Sequence, residues 1–273
     1  MTLKKAPDSA PQIHLQFLDR ALHVFSADPR IAGVAIGGSW LSDSMDEFSD
    51  LDLVIATSAE AHAAVLADGR KLATSLGNLL SAFSGEHVHE PRLLICLYDA
   101  PLLHVDLKFV ALPDLAARVE DPEVLWERNK RMTRALQNGK AHYPAPDAQW
   151  IEDRFWVWLH YGAAKIARSE LFEAMAMLSY LRVHVLGPLG LRQAGATPSG
   201  VRKIEQLAPV FAARLVDTVG GHDARDCARA LAACAALYRT LRMQAPGHEG
   251  LVQRAATETA ASDYLATITR ALR

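Results

Sequence analysis

Apolar and polar positions follow two different rhythms along this chain. In residues 12–26, Leu15, Leu18, Leu22 and Phe25 recur at the spacing of an amphipathic helix. Asp28-Pro29 stops that helix. Residues 31–36 are short, apolar and rich in β-branched side chains, as a buried strand requires, and residues 51–56 form a second such run. Thr57 or Ser58 is placed to cap a long Ala/Leu helix reaching about Leu80. Residues 81–92 are polar and read as a loop. Residues 93–98 and 102–110 read as a third and a fourth strand, and the short turn Asp99-Ala100-Pro101 makes them an antiparallel hairpin. Pro113 or Asp114 opens a short helix, and Asp121-Pro122 is expected to open another. The first ten residues read as a frayed tail.

The strand rhythm then ends. A Pro-containing polar stretch, residues 139–148, reads as a linker. Beyond it, residues 150–168, 170–186, 200–219, 224–243 and 248–272 are long, Ala-rich and helical. Breaks are expected at Gly187-Pro188, Pro198, Gly220-Gly221 and Pro246-Gly247. The pattern predicts an α/β (α+β) domain with a mixed sheet over residues 10–142, followed by an all-α helical bundle over residues 149–273.

Composition narrows the function classes. Half of the 273 residues are apolar and 22% are charged, far from the signature of disorder. A net charge of -2 does not point to a nucleic-acid partner. The charge is unevenly placed: residues 1–146 hold 14 Lys and Arg against 19 Asp and Glu, and residues 147–273 hold 15 against 12. Cys96, Cys227 and Cys234 lie in apolar runs with no CxxC, as buried free thiols of a reducing compartment would. The N-terminus shows no signal-peptide core, and no stretch approaches the roughly 18 uninterrupted apolar residues of a membrane span. A cytoplasmic protein without a membrane partner is expected.

The chemistry concentrates in two places. Gly37-Gly38-Ser39 follows the first strand, where glycine lets backbone N–H groups approach a ligand. Asp50 and Asp52 then fall two apart, so strand alternation sends both to one face while Leu51 and Leu53 turn to the core. Adjacent carboxylates repel unless a cation lies between them, and Mg2+ takes oxygen ligands shared with phosphates. Downstream, His104, Asp106 and Lys108 share one face of the fourth strand. If that strand lies beside the second, Asp106 joins Asp50 and Asp52, a set suited to two metal ions in an in-line phosphoryl displacement.

The run GGSWLSDSMDEFSDLDL, with the later HVDLKF, resembles the signature of the DNA polymerase β-like nucleotidyltransferase superfamily. The helical half, through WLHYGAAKIARSELFEAMAMLSYLR, resembles the bacterial aminoglycoside adenylyltransferases. The resemblance implies a nucleotidyltransferase that moves a nucleoside monophosphate, AMP from ATP or another NTP, to a hydroxyl of a small molecule. An aminoglycoside-like antibiotic is the acceptor it implies, and antibiotic resistance the setting. It implies two Mg2+ ions on Asp50, Asp52 and Asp106, with the triphosphate held by Gly38 and Ser39. It also implies a phosphate contact from Lys165, a lysine of the first long helix.

A glutamate one helical turn before that lysine is the base in kanamycin-type relatives; this chain has Tyr161 there. Streptomycin-type relatives take a glutamate from the first domain, for which Glu86 and Glu90 qualify. If Leu94 pairs with Asp106, Glu90 falls on the Asp106 face, and it is the favoured catalytic base; Asp106 itself is the other. Trp150, Phe155, Trp156, Trp158 and Tyr161 line either an acceptor pocket or the bundle core. Glu170 and Glu173 are placed either to bind an amine or to face solvent. Two other functions fit the motifs: the same chemistry on a protein or RNA, as in toxin–antitoxin nucleotidyltransferases, or nucleotide binding without catalysis. Monomer and homodimer are both compatible with the sequence.

Overall fold

The computed structural model describes residues 6–244 and 250–272. The chain divides into two compact units, residues 1–143 and 144–273.

The first unit is a six-stranded mixed sheet with helices on both faces. Its elements are α1 (Gln12–Ala27), β1 (Ile31–Ile36), β2 (Leu51–Thr57), α2 (His62–Ala67), α3 (Gly69–Thr74), β3 (Leu79–Gly85), β4 (Glu90–Tyr98), β5 (Leu103–Ala111), β6 (Glu123–Glu127) and α4 (Arg131–Gln137). The strand order is β3-β4-β5-β2-β1-β6, and only β2 and β5 run parallel. Alternation divides the two faces. Leu51, Leu53 and Ile55 of β2 and Val105, Leu107 and Phe109 of β5 enter one core, closed by Phe17, Leu18, Leu22 and Phe25 of α1. On the other face Ala32, Ala35, Ala56 and Val110 meet Met132 of α4 and Leu115 of a 3-10 turn, Leu112–Ala116.

Several expectations are corrected here. The long helix after Thr57 is two short ones, because Asp68-Gly69 interrupts it, and the chain turns at Gly77 into β3. Residues 81–92 are therefore mostly strand, not loop. β3 is an edge strand whose pairing comes from β4 alone, and its exposed Leu80 and Phe83 break the alternation that would have marked it. Asp121-Pro122 opens no helix. Glu123–Glu127 pairs antiparallel with β1, setting Trp126 opposite Val34. Residues 1–5 of the expected tail lie outside the described residues, while Ala6 and Ala10 pack on the core beneath α1. The hairpin of β4 and β5 has Ile95, not Leu94, opposite Asp106.

The second unit is helical: α5 (Ala148–Ala167), α6 (Leu171–Leu181), α7 (Gly187–Gln193), α8 (Ile204–Leu207), α9 (Pro209–Leu215), α10 (Ala224–Gln244) and α11 (Ala255–Ala271). Asp147 caps α5, accepting from the Trp150 N–H at 2.9 Å. Gly187-Pro188 is no break. A π turn, Arg182–Leu186, carries α6 into α7, and Pro188 sits in the first turn, where its missing N–H is tolerated. The run Leu171–Gln193 is long and apolar enough to cross a membrane by length and composition, but Leu178, Leu181, Val185, Leu186 and Leu191 are buried in this unit's own core. Residues 200–219 form short helices and turns rather than one helix, since Pro209 restarts the chain. The start of the last helix, expected at His248, and the Pro246-Gly247 break fall outside the described residues; α11 begins at Ala255.

Phe155 and Trp156 are fully buried, and Phe155 stacks on Tyr238 at 4.0 Å between centroids, so these two aromatics are core. Among them lies Glu152, also fully buried, accepting from Tyr238 Oη at 2.7 Å, Arg242 Nη1 at 3.0 Å and Trp156 Nε1 at 3.1 Å. All three cysteines are buried and free, and burial pushes the Cys96 and Cys234 thiols up to about 12.

Candidate active site

The parallel pair β2 and β5 builds the site. Their register sets Asp52 directly opposite Asp106, with neighbouring strands about 4.8 Å apart. Both follow the alternation that sends Leu51, Leu53, Val105 and Leu107 to the core, so both carboxylates stand on the opposite face. Asp50 sits one residue before β2, partly exposed.

The glycine turn is tied to the same strand. The Gly37 N–H donates to the Asp52 carbonyl at 2.9 Å. Gly38 has φ +65, in the left-handed region, and a Cβ there would run into Asp52 Oδ2. Conformation and space both demand glycine, and the result is a bare backbone lying against the Asp52 carboxylate. Ser39 follows in a 3-10 turn, Gly38–Trp40, and its carbonyl accepts from the Ser44 N–H at 3.1 Å.

A cavity of about 440 Å³ opens on this face. Gly37, Asp52, Asp106, Glu90, Lys108, Arg92, Arg118, His142 and Glu120 supply its polar lining, and Val54, Leu93, Val110, Leu115 and Leu136 its apolar floor. Of the expected residues it takes in Asp52, Asp106 and Glu90; Gly38, Ser39 and Asp50 are outside its lining.

Glu90 reaches the cavity by an unexpected route. Between Ser84↔Leu94 and Gly85↔Glu90 the β3–β4 register jumps, a bulge that takes up Pro91 to Leu93. Strict alternation from Ile95 would have turned Glu90 away from Asp106. Instead its carboxylate meets Arg92 Nε and Lys108 Nζ, each at 2.7 Å. The Arg92 guanidinium, with help from Lys108, holds the Glu90 carboxyl down at about 2 against the burial that would raise it. His104 Nε2 lies 3.0 Å from Asp106 Oδ1.

Two neighbours of the cavity escaped the sequence. Glu120 accepts from the Gly38 N–H at 3.0 Å, and a Cβ on Gly37 would meet the same carboxylate. Nothing in its surroundings, VEDP, marks it. Arg118 ties the far wall together, donating to the carbonyls of Leu115 at 3.2 Å and Gly139 at 3.0 Å.

Lys165 lies in α5 of the helical unit. Its ammonium meets Glu170 at 2.6 Å and Glu173 at 2.5 Å and lies 5.0 Å over the Tyr161 ring. Those glutamates raise its pKa. The amine that Glu170 and Glu173 hold is thus a side chain of the same unit.

Among the described residues no three His, Cys, Asp or Glu side chains converge as a metal-holding group. The donor set at the cavity nevertheless fits Mg2+. Asp52 and Asp106 are oxygen donors side by side, and Mg2+ is commonly bound by one or two carboxylates plus substrate phosphates rather than by an all-protein cage.

No protein-family model matches the chain, and no curated protein matches it. Among solved structures it is similar to an aminoglycoside 6-adenyltransferase from Bacillus subtilis, with 16% identity, 92% of this chain and 97% of that one covered, and a TM-score of 0.39. It is also similar to a nucleotidyltransferase-like protein from Exiguobacterium sibiricum, with 14% identity, coverage of 93% and 88%, and a TM-score of 0.38. At such scores neither likeness assigns a chemistry.

Proposed function

We propose that this chain is an Mg2+-dependent nucleotidyltransferase that transfers a nucleoside monophosphate, AMP from ATP, to a hydroxyl of a small molecule. One observation carries the reading: a glycine turn laid bare against Asp52, with Asp106 directly opposite on the neighbouring parallel strand. A phosphate-cradling backbone and two paired carboxylates are what transfer between phosphates and hydroxyls needs, and little else is required of the protein.

In this reading Asp52 and Asp106 hold the metal, and Gly38 and Ser39 receive the triphosphate. When bound, Mg2+ offsets charge on the phosphates and on the attacking oxygen. The acceptor oxygen bonds to the α-phosphorus, the bond from that phosphorus to its bridging oxygen breaks, and pyrophosphate leaves with the electron pair. The hydroxyl proton goes to a carboxylate. Asp106, directly opposite Asp52, is placed for this, whereas the Glu90 carboxylate is already paired with Arg92 and Lys108. Glu90 instead anchors Lys108 and Arg92 in the cavity wall. The ammonium of Lys165 is paired with Glu170 and Glu173 within its own unit. The acceptor class, aminoglycoside-like, is supported by the sequence resemblance of the helical half.

The test is pyrophosphate release from ATP, GTP, CTP and UTP against an aminoglycoside panel, for the wild type and for Asp52→Asn and Asp106→Asn. Acceptor-dependent release that falls to background in both variants is the expected result. Turnover that survives both substitutions overturns the assignment, and turnover only with other acceptors overturns the acceptor class alone.

A further inference from the structure

The loop that joins the glycine turn to the aspartate strand is held from behind by the N-terminal segment. His14 belongs to α1 and is fully buried, in the stripe that also carries Phe17, Leu18 and Leu22. Its Nε2 lies 2.7 Å from the carbonyl oxygen of Ser49, 35 positions away, so the ring N–H donates to the peptide immediately before Asp50. Its Nδ1 is buried with no partner. Ser9 grips the same loop further upstream: its N–H donates to Asp43 Oδ1 at 3.0 Å, and its Oγ accepts from the Met45 N–H at 3.1 Å.

An imidazole in an apolar core with one nitrogen satisfied is an expensive residue. A leucine would fill the same stripe with no polar group to desolvate. What leucine cannot supply is the one bond that His14 makes, and that bond ends beside Asp50. The three contacts together span residues 43 to 49, most of the connection between Ser39 and Asp50. Side chains that carry chemistry need such supports, because small displacements at a reacting centre are costly.

We infer that His14 is a positioning residue, and that with Ser9 it clamps the 41–49 loop so that Asp50 and Asp52 enter β2 in fixed places. The clamp holds the loop by the Met45 and Ser49 backbone and the Asp43 side chain, none of which lines the cavity. Its link to turnover rests on the function proposed above; its mechanical claim does not.

The experiment uses the full chain without ligand and three variants. His14→Leu removes the donor and keeps the volume. His14→Gln restores an N–H near the position of Nε2. Ser9→Ala loosens the loop without touching the core. Hydrogen exchange is followed across the chain by mass spectrometry. Exchange is expected to quicken in residues 43–53 in His14→Leu and Ser9→Ala, to return toward wild type in His14→Gln, and to stay unchanged in the rest of α1 and in β4–β5.

Unchanged exchange at 43–53 in both loosening variants overturns the inference. So does quickening spread over the whole unit, or a glutamine variant no better than leucine. If His14→Leu fails to fold, Ser9→Ala decides. In turnover, His14→Leu is expected to lower kcat by roughly tenfold or more, with little change in KM for the nucleotide and recovery in His14→Gln. A wild type inactive with every nucleotide and acceptor defeats the proposed function and leaves the exchange result standing. Locally quickened exchange with kcat unaltered in an active enzyme overturns the positioning role.

Discussion

Glu120 occupies the backbone donor that the proposed triphosphate would need. The Gly38 N–H that would meet a phosphate oxygen already donates to the Glu120 carboxylate. An anion arriving at that turn must displace another anion, and the Asp52 carboxylate beside it adds repulsion. Glu120→Ala is therefore expected to lower KM for the nucleotide several-fold with kcat nearly unchanged, read from steady-state kinetics at saturating Mg2+. A fall in kcat at constant KM would instead make Glu120 part of the chemistry. The same residue marks a limit of sequence reading. Asp50, Asp52 and Asp106 announce themselves by spacing and strand context. Glu120 arrives from a loop 82 positions after Gly38, and only the fold brings the two together. His14 is hidden for the opposite reason: it occupies a core stripe position, where one histidine among leucines carries no motif.

Between elements, what the sequence made legible was periodicity over long or fully buried segments. α1, β1, β2, the β4–β5 hairpin, α5 and α10 all have apolar patterns long or clean enough to read. β3 and β6 do not, because both are edge strands with pairing on one side, and half-exposed short runs look like loops or helix starts. The register argument for Glu90 failed at its premise, since Ile95 rather than Leu94 faces Asp106, and it is the bulge at residues 91–93 that returns Glu90 to the cavity. Gly187-Pro188 misled because Pro breaks a helix interior but is tolerated in a first turn, and the π turn before it supplies that opportunity.

The same helical run carries a test of packing against propensity. Gly190 lies in α7, where Gly→Ala should stabilise an exposed helix by about 1 kcal/mol. Here a Cβ would run into the Phe211 ring of α9. Overpacking of that kind costs about 1–3 kcal/mol, so packing wins, and Gly190→Ala is expected to lower the midpoint of urea unfolding of the helical unit. An unchanged or raised midpoint would show that Phe211 yields freely.

Over the whole chain, the near-zero net charge conceals carboxylates held in their charged form in both units. Asp28 is kept low by its hydrogen bonds from Arg30, and Glu90 by Arg92 and then Lys108. Glu258 is raised by burial but lowered further by Arg239 and Arg242. A carboxyl whose folded pKa lies below its unfolded value binds protons more tightly when unfolded. Its contribution is complete above the unfolded value, near 4.5 for glutamate, and is lost as pH falls toward the folded one. At the alkaline end the sign reverses for the buried thiols. Cys96 and Cys234, whose thiols burial pushes up to about 12, favour the folded state fully below the unfolded thiol value of 9.0 and lose that contribution as pH rises from there toward the folded one. Stability should therefore form a plateau through neutral pH with losses on both sides. Glu90 offers the cleanest dissection, since its side chain is only 21% exposed and its two cations are known. Its share is on the order of 2 kcal/mol, lost between about pH 4.5 and pH 2. Glu90→Gln cannot titrate, and it leaves Arg92 and Lys108 without their anion. Its urea midpoint is expected to be lower than wild type at pH 7 and to converge on wild type as pH approaches 2. A parallel fall of both proteins through the acid range would mean that Glu90 is not charge-paired in the folded protein.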